Sequence, residues 1–480
     1  MSRKVFLILA GVVLGVLVFA ACAAPAPSAP PASLSGSAPT AVPQPASAAP
    51  LAQATAVPTK PAPQISKEGQ TCVACHQNVT AGIVHDWQDS KHSVNGVDCY
   101  TCHGAASKGD RPDVKDHMGF KIVVLVTPKD CQGCHAQQAA EFLASRHSDA
   151  ASFIGSLDNV LGEIIGGGPA ANAGCKQCHG STVAVLKAKP GELDPTTWPN
   201  TGIGRLNLDG SKGSCTACHS RHAFSIAQAR APEVCGKCHI GPDHPQEEVW
   251  QESKHGGRYY EMIAQGQTLN LERPAGQWLP GRDYSAGPTC ASCHISATPN
   301  QPPTHDVGAR ISWTLRPAIS TKQDNWEKKR ANMQDVCTQC HGSTYTANFY
   351  AQFDALVNLY NAKFGTPAKT IMDKLTASKK LTDQPFDAPI KWTYYELWHH
   401  EGRRARHGAA MAGPDYTWWH GLYEVSKVFY TEFIPAARAL DSKIVDDTIN
   451  TMPEHDWFTK GLTKEQIQQI LDFYKTRYGQ

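Results

Sequence analysis

The pattern Cys-X-X-Cys-His occurs eight times between residues 72 and 341. It uses sixteen of the seventeen cysteines and leaves only Cys22 outside a pair. The pairs are Cys72/Cys75, Cys99/Cys102, Cys131/Cys134, Cys175/Cys178, Cys215/Cys218, Cys235/Cys238, Cys290/Cys293 and Cys337/Cys340, followed by His76, His103, His135, His179, His219, His239, His294 and His341. The net charge of +2 over 480 residues gives no reason to expect a nucleic-acid partner.

This spacing suits covalent attachment of haem. Two thiols three positions apart can each form a thioether with one haem, and the next histidine supplies an axial ligand to the iron. Structural disulfides, zinc ribbons and thioredoxin-like pairs do not require histidine after every pair. Since 21 of 480 residues are histidine, eight chance matches have a probability of about one in 10¹¹. The sequence therefore predicts eight covalently bound c-type haems.

The density of these motifs indicates the fold class. With one haem for about 35 residues, little room is left for an ordinary side-chain core, so the haems themselves form much of it and lie close together. We predict a mainly α multihaem cytochrome c with few strands and an octahaem domain over residues 66–345. Apolar residues at helical spacing, such as Phe353, Leu356 and Val357, predict a helical C-terminal region over residues 346–480.

Thirteen further histidines can provide second axial ligands. Three follow a repeated Ser-basic pair and are predicted ligands, with surface histidine as the alternative: His92, His147 and His255. His222 is too close to His219 to bind the same iron, so we expect it to serve a neighbouring haem. His117 and His305 are predicted ligands against the same alternative. His400 is also a candidate, because it can complete an eighth iron, as can His244 or His407.

The N-terminal residues predict export. Arg3 and Lys4 precede an apolar run through Ala21, so residues 1–22 read as a signal segment with a lipobox-like Cys22. An uncleaved membrane anchor and plain cleavage are the alternatives. Residues 23–65, rich in Ala, Pro and Ser, predict a disordered tether. We therefore expect a periplasmic protein, or one at the outer face of the membrane, lipid-anchored through Cys22.

Two further segments carry a family resemblance. Gly-Pro-Asp-His-Pro-Gln spans residues 241–246, and Gly-Pro-Asp-Tyr-Thr-Trp-Trp-His-Gly spans residues 413–421. Together with the eight haem motifs, residues 66–450 resemble the octahaem hydroxylamine oxidoreductase family, which includes the hydrazine dehydrogenases. The resemblance implies that the fourth haem, at His179, is five-coordinate and catalytic, whereas the other seven have two histidine ligands.

The resemblance also implies roles for individual residues. Asp243 and His244 correspond to a pair that accepts protons released by the substrate. Tyr416 corresponds to a tyrosine that crosslinks to the fourth haem of a neighbouring subunit in a homotrimer. Tyr345 is a weaker candidate for the same pocket and is not separated from Tyr350 by spacing.

The resulting functional hypothesis is oxidation of hydroxylamine or hydrazine at the fourth haem. Electrons would pass through seven haems with two histidine ligands to a cytochrome c or a membrane quinone-linked acceptor. One alternative is a reductase that forms ammonia from nitrite or hydroxylamine. The other is a non-catalytic electron conduit in which every iron has two histidine ligands.

Overall fold

The computed structural model describes residues 64–152 and 157–479. The predicted signal segment and nearly all of the predicted tether lie outside these residues. Helices dominate the described chain, which confirms the predicted mainly α fold with few strands. Among the described residues, none of the helices has the length and apolar character needed to cross a membrane.

The haem-motif region consists of short helices separated by long connections. Its α-helices are Lys67–Val79, Ala81–Gln88, Lys91–Val94, Cys99–His103, Pro128–Gln132, Ala136–Ala144, Gly168–Ala173, Cys175–His179, Ile226–Arg230, Pro232–Gly236, Gln246–Glu252, Lys254–Ala264, Cys290–His294 and Trp326–Cys337. A π-helical segment covers Val160–Ile165, and 3₁₀ turns cover Ala105–Ser107, Arg146–Asp149, Cys215–Ala217 and Ala275–Gln277.

Two antiparallel ribbons account for the named strands of the described residues. Lys115–His117 pairs with Phe120–Ile122 so that Asp116 faces Lys121. Trp313–Thr314 pairs with Thr321–Lys322. These ribbons are too small to form a layer of the fold, so the helices and their connections position the haem motifs.

Several haem motifs form single helical turns that begin at side-chain caps. Asp98 caps Cys99–His103 and accepts a hydrogen bond from the Thr101 amide at 2.8 Å. Thr289 and Ser292 form a reciprocal capping box at Cys290–His294. A cap satisfies amides that lack a partner in the first helical turn. The turn consequently carries two thiols and an imidazole at fixed relative positions.

The C-terminal region is helical, as predicted. Its α-helices are Ser343–Tyr360, Thr366–Ala377, Pro389–Tyr395, Gly402–Ala410, Pro414–Thr417, Glu424–Val428, Ile434–Ile449, Asp456–Thr459 and Lys464–Tyr478. The π-helical segments Asn361–Gly365, Glu396–Glu401, Trp418–Tyr423 and Phe429–Phe433 lie between them, and a 3₁₀ turn covers Pro453–His455. The first of these helices begins at Ser343, so it crosses the predicted boundary at residue 345.

An apolar core holds most of these C-terminal helices together. Ile371, Leu375, Phe429 and Phe433 are fully buried in it. Burying a side chain of this size stabilises the fold by about 1.5–3 kcal/mol. The last helix differs, because its apolar residues, among them Leu471, are exposed. The core therefore fixes the helices between residue 343 and the 450s. These helices include Glu396–Glu401 and Gly402–Ala410, the segment that faces the haem motifs.

Candidate functional site

All sixteen cysteines of the haem motifs are free thiols. This argues against structural disulfides as the reason for their pairing. Within the described residues, no cluster of three or more His, Cys, Asp or Glu side chains is arranged to hold a metal ion by itself. Zinc sites need about four such ligands around one ion. Paired free thiols followed by one imidazole fit covalent haem instead.

Thiols from different motifs approach one another directly. The Cys131 thiol contacts Cys215, Cys178 contacts Cys238, and Cys235 contacts Cys290. Four further pairs lie within electrostatic range: Cys72 with Cys99, Cys102 with Cys131, Cys218 with Cys235 and Cys293 with Cys337. These approaches link all eight motifs, which agrees with the prediction that the haems lie close together.

Four of the cysteines predicted to bind haem are exposed rather than enclosed by the protein, namely Cys75, Cys134, Cys175 and Cys340. Cys75 lies in Lys67–Val79, a helix in which Gly69 is the buried residue, and Cys134 lies just after the end of the short helix Pro128–Gln132. Such short elements cover a thiol on few sides. Haem attachment at these positions stays a prediction, which rests on the motif.

Six motif histidines face a second histidine across a similar gap. Their ring centroids are 6.0 to 6.5 Å apart. The pairs are His76 with His117, His135 with His92, His103 with His222, His239 with His147, His219 with His305 and His341 with His255. Metal–imidazole bonds are about 2 Å long, so each gap fits one iron between two rings. Six of the predicted second ligands thus stand where such a ligand is needed.

The repeated Ser-basic-His segments share one local structure. The hydroxyls of Ser90, Ser145 and Ser253 each donate to the carbonyl of an aromatic residue three positions earlier, at 2.6 to 2.7 Å. Each serine is the N-cap of a short helix and is buried. The histidine that follows then lies in the first helical turn. The shared N-cap position, with a side-chain cap bond at Ser90 and at Ser253, therefore explains why the same short segment presents an imidazole three times.

Hydrogen bonds also orient several motif histidines. Nδ1 of His103 lies 2.8 Å from the carbonyl oxygen of Val123, and Nδ1 of His294 lies 3.2 Å from that of Val307. A carbonyl that accepts from Nδ1 leaves Nε2 free for a metal and fixes the plane of the ring. The sequence around the motifs gives no local sign of these distant carbonyls.

Two motif histidines lack a paired ring of this kind among the described residues, namely His179 and His294. His147 lies near both His239 and His294. His239 also lies 6.4 Å from His244, at a steeper angle between the rings. The fourth motif, which the resemblance singles out, is thus one of two motifs without a facing imidazole in the part of the chain that is described.

Asp243 and His244 lie beside the fourth motif. Nδ1 of His244 is 2.5 Å from Oδ1 of Asp243, and both side chains are largely buried. Each is close enough to His179 to influence the charge of its ring. The segment that the family resemblance selected therefore stands next to the motif that it was predicted to serve.

A second group of polar side chains lies behind Asp243. Arg403 donates to Oδ2 of Asp243 at 3.0 Å. Nε2 of His399 is 3.0 Å from Oδ1 of Asp158 and 4.0 Å from Oδ2 of Asp243. The hydroxyl of Tyr395 donates to the same Asp158 oxygen at 2.5 Å. The two carboxylates therefore lie on either side of the His399 ring, which is hydrogen-bonded to Asp158 and 4.0 Å from Asp243.

These contacts set the charges of the site. Burial favours the neutral form of Asp243, but the hydrogen bond from His244 and the neighbouring His399 and Arg403 lower its pKa to about 2. Burial acts against the charged form of His244 as well, whereas the bond to Asp243 and the carbonyl of Cys238 raise its pKa. The site thus combines a stable carboxylate with an imidazole of increased basicity, which suits a proton acceptor.

The remaining candidates lie elsewhere. Tyr416 is half-buried, with its amide 3.1 Å from Oε1 of Glu252. Tyr345 is exposed and stacks on His341 with a centroid distance of 4.9 Å. Tyr350 is buried against Phe353 in the C-terminal region. The rings that contact His400 are those of Tyr395 and His399. The structure therefore brings Asp243 and His244 together near His179, and places Tyr416 on another part of the chain.

Four residues of the site were not predicted from the sequence: Asp158, Tyr395, His399 and Arg403. The last two have a detectable signal, since they are four residues apart in a segment rich in histidine and arginine. Asp158 has none, because it lies just before the π-helical segment Val160–Ile165, far away in sequence, and joins the site only through the fold. Its recognition requires the three-dimensional structure.

Two family descriptions match parts of the chain. Residues 207–389 match "Seven times multi-haem cytochrome CxxCH", and residues 45–104 match "Cytochrome c554 and c-prime". A curated relative is the "Probable nitrite reductase-hydroxylamine oxidoreductase fusion protein" of Kuenenia stuttgartiensis, 23% identical over 466 aligned residues. The match covers 73% of this chain and 49% of the relative, so the chain spans about half the length of that protein.

Solved structures give the same assignment. A "Hypothetical multiheme protein" superposes with a TM-score of 0.68 at 26% identity and covers 79% of this chain and 96% of its own. The reducing HAO-like protein complex of Kuenenia stuttgartiensis superposes with a TM-score of 0.57 at 21% identity, covering 78% and 86%. The second likeness concerns the fold alone. With the motif geometry, these findings identify the chain as a multihaem cytochrome c that is similar to hydroxylamine oxidoreductase-like proteins.

Proposed function

We propose that this protein is an octahaem oxidoreductase that oxidises hydroxylamine, or the similar molecule hydrazine, at the fourth haem motif. The observation that carries the proposal is the Asp243–His244 pair beside His179, a motif histidine with no facing imidazole in the described chain. Cys175, Cys178 and His179 would hold the haem at this motif, and the iron would supply an electron acceptor when bound.

The protein's own contribution is to handle protons. Oxidation of hydroxylamine releases protons together with electrons, and a base beside the substrate removes them. Nδ1 of His244 donates to Asp243, so Nε2 is the atom that accepts a proton. The carboxylate of Asp243 and the carbonyl of Cys238 stabilise the imidazolium that results. Arg403 holds the other oxygen of Asp243, which keeps the pair in this orientation.

The seven other haems are proposed to carry the electrons away, each between two histidines. Paired rings support this role at six motifs. The proposed acceptor is a cytochrome c or a quinone-linked membrane protein. Export to the periplasm, a lipid anchor at Cys22, a homotrimer and a Tyr416–haem crosslink belong to the same proposal.

Reduction of nitrite or hydroxylamine to ammonia is the second candidate function. One observation favours it: the names of the relatives, one a nitrite reductase fusion and the other a reducing HAO-like complex. Tyr416 lies beside Glu252 of its own chain, so a crosslink to a fourth haem would have to join neighbouring subunits. The direction therefore depends on whether a neighbouring subunit's tyrosine reaches the fourth haem.

The deciding experiment mixes the purified oxidised protein with hydroxylamine, hydrazine or nitrite, in both redox directions. We expect hydroxylamine to reduce the haems within the turnover time and electron paramagnetic resonance to show one high-spin ferric haem. If every ferric haem is low-spin and hydroxylamine causes no reduction, the protein is an electron conduit. If turnover occurs only with nitrite and a reductant, the second candidate is correct.

A further inference from the structure

One helical segment touches both the candidate site and the neighbouring haem motif. His399, Arg403 and His407 are spaced four residues apart along Glu396–Glu401 and Gly402–Ala410. Side chains four apart lie on the same side of a helix. We call these three residues the backing stripe, because all three contact the chain around the segment 241–246 or its partner Asp158.

The first half of the backing stripe contacts the carboxylates. Arg403 donates to Oδ2 of Asp243 at 3.0 Å and also to the carbonyl of Arg316 at 2.8 Å, so its guanidinium is fixed at two points. Nε2 of His399 lies between Asp158 at 3.0 Å and Asp243 at 4.0 Å. The ring of His399 stacks on Tyr395 with a centroid distance of 4.1 Å. The outer oxygen of Asp243 is thereby held, and the inner oxygen faces His244.

The second half contacts the sixth motif through one amide. Nε2 of His407 is 3.3 Å from Nε2 of Gln246, and Oε1 of Gln246 is 3.3 Å from Nδ1 of His239. An amide has one accepting and one donating end. Its oxygen therefore accepts from His239, and its nitrogen donates to His407. His407 is buried, which favours the neutral ring that this bond needs.

We propose that the backing stripe is a single positioning element that orients Asp243 through His399 and Arg403, and the His239 ring through His407 and Gln246. The first half rests on the proposed function, since it matters only if a ligand binds near His179. The second half does not, because the His239 hydrogen bond affects the sixth haem whatever the protein does. The stripe would thus support two neighbouring motifs, each through its own half.

The first half is tested by cyanide binding to the oxidised holoprotein, followed by absorption spectroscopy. Arg403→Gln should weaken cyanide binding about tenfold, the size expected when one charge-assisted hydrogen bond is lost. His399→Gln should weaken it less, because the His399 ring lies 4.0 Å from Asp243 and makes no hydrogen bond to it. Arg403→Lys keeps the charge near Asp243 and should restore part of the affinity. The midpoint potentials of the haems at the other seven motifs should not change.

The second half is tested by redox titration with spectroscopic detection. An acceptor at Nδ1 increases the electron donation of an axial imidazole. Gln246→Leu and His407→Leu should therefore raise the midpoint potential of one low-spin haem, and Gln246→Glu should lower it. Because His407 is buried, Gln246→Leu keeps the test informative if His407→Leu does not fold. Cyanide affinity should stay unchanged in all three.

The C-terminal core offers a matched control. There the Tyr430 hydroxyl lies 2.9 Å from Nδ1 of the buried His455, a second histidine–tyrosine pair away from the haem motifs. Tyr430→Phe and His455→Gln should alter thermal stability but neither readout. If a variant of the backing stripe changes both the cyanide affinity and the midpoint potential of the low-spin haem, as a general loss of stability would, the inference is wrong.

Further outcomes separate the inference from the proposed function. If the unaltered protein binds cyanide but Arg403→Gln and His399→Gln bind it equally well, the stripe does not orient Asp243. If the unaltered protein binds no cyanide, the proposed function fails, and the potential of the sixth haem still decides the second half. An unchanged potential in Gln246→Leu contradicts that half.

Discussion

Asp243 and His244 form a 2.5 Å hydrogen bond although they are consecutive in the chain. Consecutive side chains point in different directions in a regular helix or strand. The pair forms here because the segment is irregular, with Gly241 at φ 104° and the helix Gln246–Glu252 starting just after it. A glycine adopts this backbone conformation without steric cost. The turn therefore creates a contact that regular secondary structure forbids.

This contact predicts a pH dependence. A proton acceptor works in its neutral form, so kcat/KM for hydroxylamine should rise with pH through the pKa of His244, which Asp243 raises above 6.5. Asp243→Asn removes the carboxylate and should move the inflection to lower pH by about one unit. Steady-state rates from pH 5 to 9 measure it. Asp415→Asn, which cuts the surface pair of Asp415 and His420, should leave the inflection in place.

Tyr416 predicts the direction of the reaction. If it crosslinks to the fourth haem of a neighbouring subunit, Tyr416→Phe should abolish the covalent tyrosine–haem peptide and reduce hydroxylamine oxidation by at least about tenfold, or 1.4 kcal/mol. Peptide mass spectrometry and oxidation rates measure this. Tyr423→Phe, in the same exposed segment, is the control. An unchanged peptide mass together with retained nitrite reduction would favour the reductive function.

The serine caps predict a local effect on an iron ligand. Ser253→Ala removes a buried cap of the helix that carries His255 and should cost about 1 kcal/mol of stability. It should also perturb the low-spin spectrum of one haem, because His255 faces His341. Thr463→Ala removes a comparable cap from the exposed last helix. It should leave the spectrum unchanged, so an equal response of both variants would contradict the ligand role of His255.

Glu401 predicts a loss of stability with rising pH. Burial raises the pKa of Glu401 to about 7. Arg404, 2.9 Å away, offsets this only in part, because it also pairs with Glu424 at 2.8 Å. A carboxyl whose pKa is raised on folding contributes stability below about pH 4.5, and this contribution is lost as the pH rises through about 7. The full effect is at most about 3 kcal/mol. Glu401→Gln should make the melting temperature less dependent on pH between pH 5 and 7. The same pH dependence in the variant and in the unaltered protein would contradict the prediction.

The haem motifs and the repeated Ser-basic-His segments are local, which is why they can be recognised in the sequence. Each depends on residues within a few positions, and one helical turn or one cap carries the information. The pairing of His103 with His222 is different, because spacing shows only that His222 cannot share an iron with His219. Long-range pairing and burial follow from the fold.

The candidate site shows the same difference between local features, which the sequence reveals, and long-range contacts, which it does not. Asp243 and His244 are recognisable because a short segment carries both. Asp158 and Tyr395 come from distant regions and meet through one hydrogen bond, so no window of sequence contains them. His400 shows the opposite problem. It lies in a segment rich in histidine and arginine and is a candidate ligand from the sequence, but its ring packs against Tyr395 and His399. Composition alone does not separate a ligand from a packing side chain.

The thiol contacts give the motifs unequal importance. Cys238 meets Cys178 of the fourth motif, while Cys235 meets Cys290 of the seventh and lies near Cys218 of the fifth. The sixth motif is thus the junction at which the fourth joins two diverging arms. If each motif holds one haem, as proposed, loss of the haem at the sixth motif would separate the fourth from both arms, whereas loss of the haem at the first or the eighth motif would shorten only one arm.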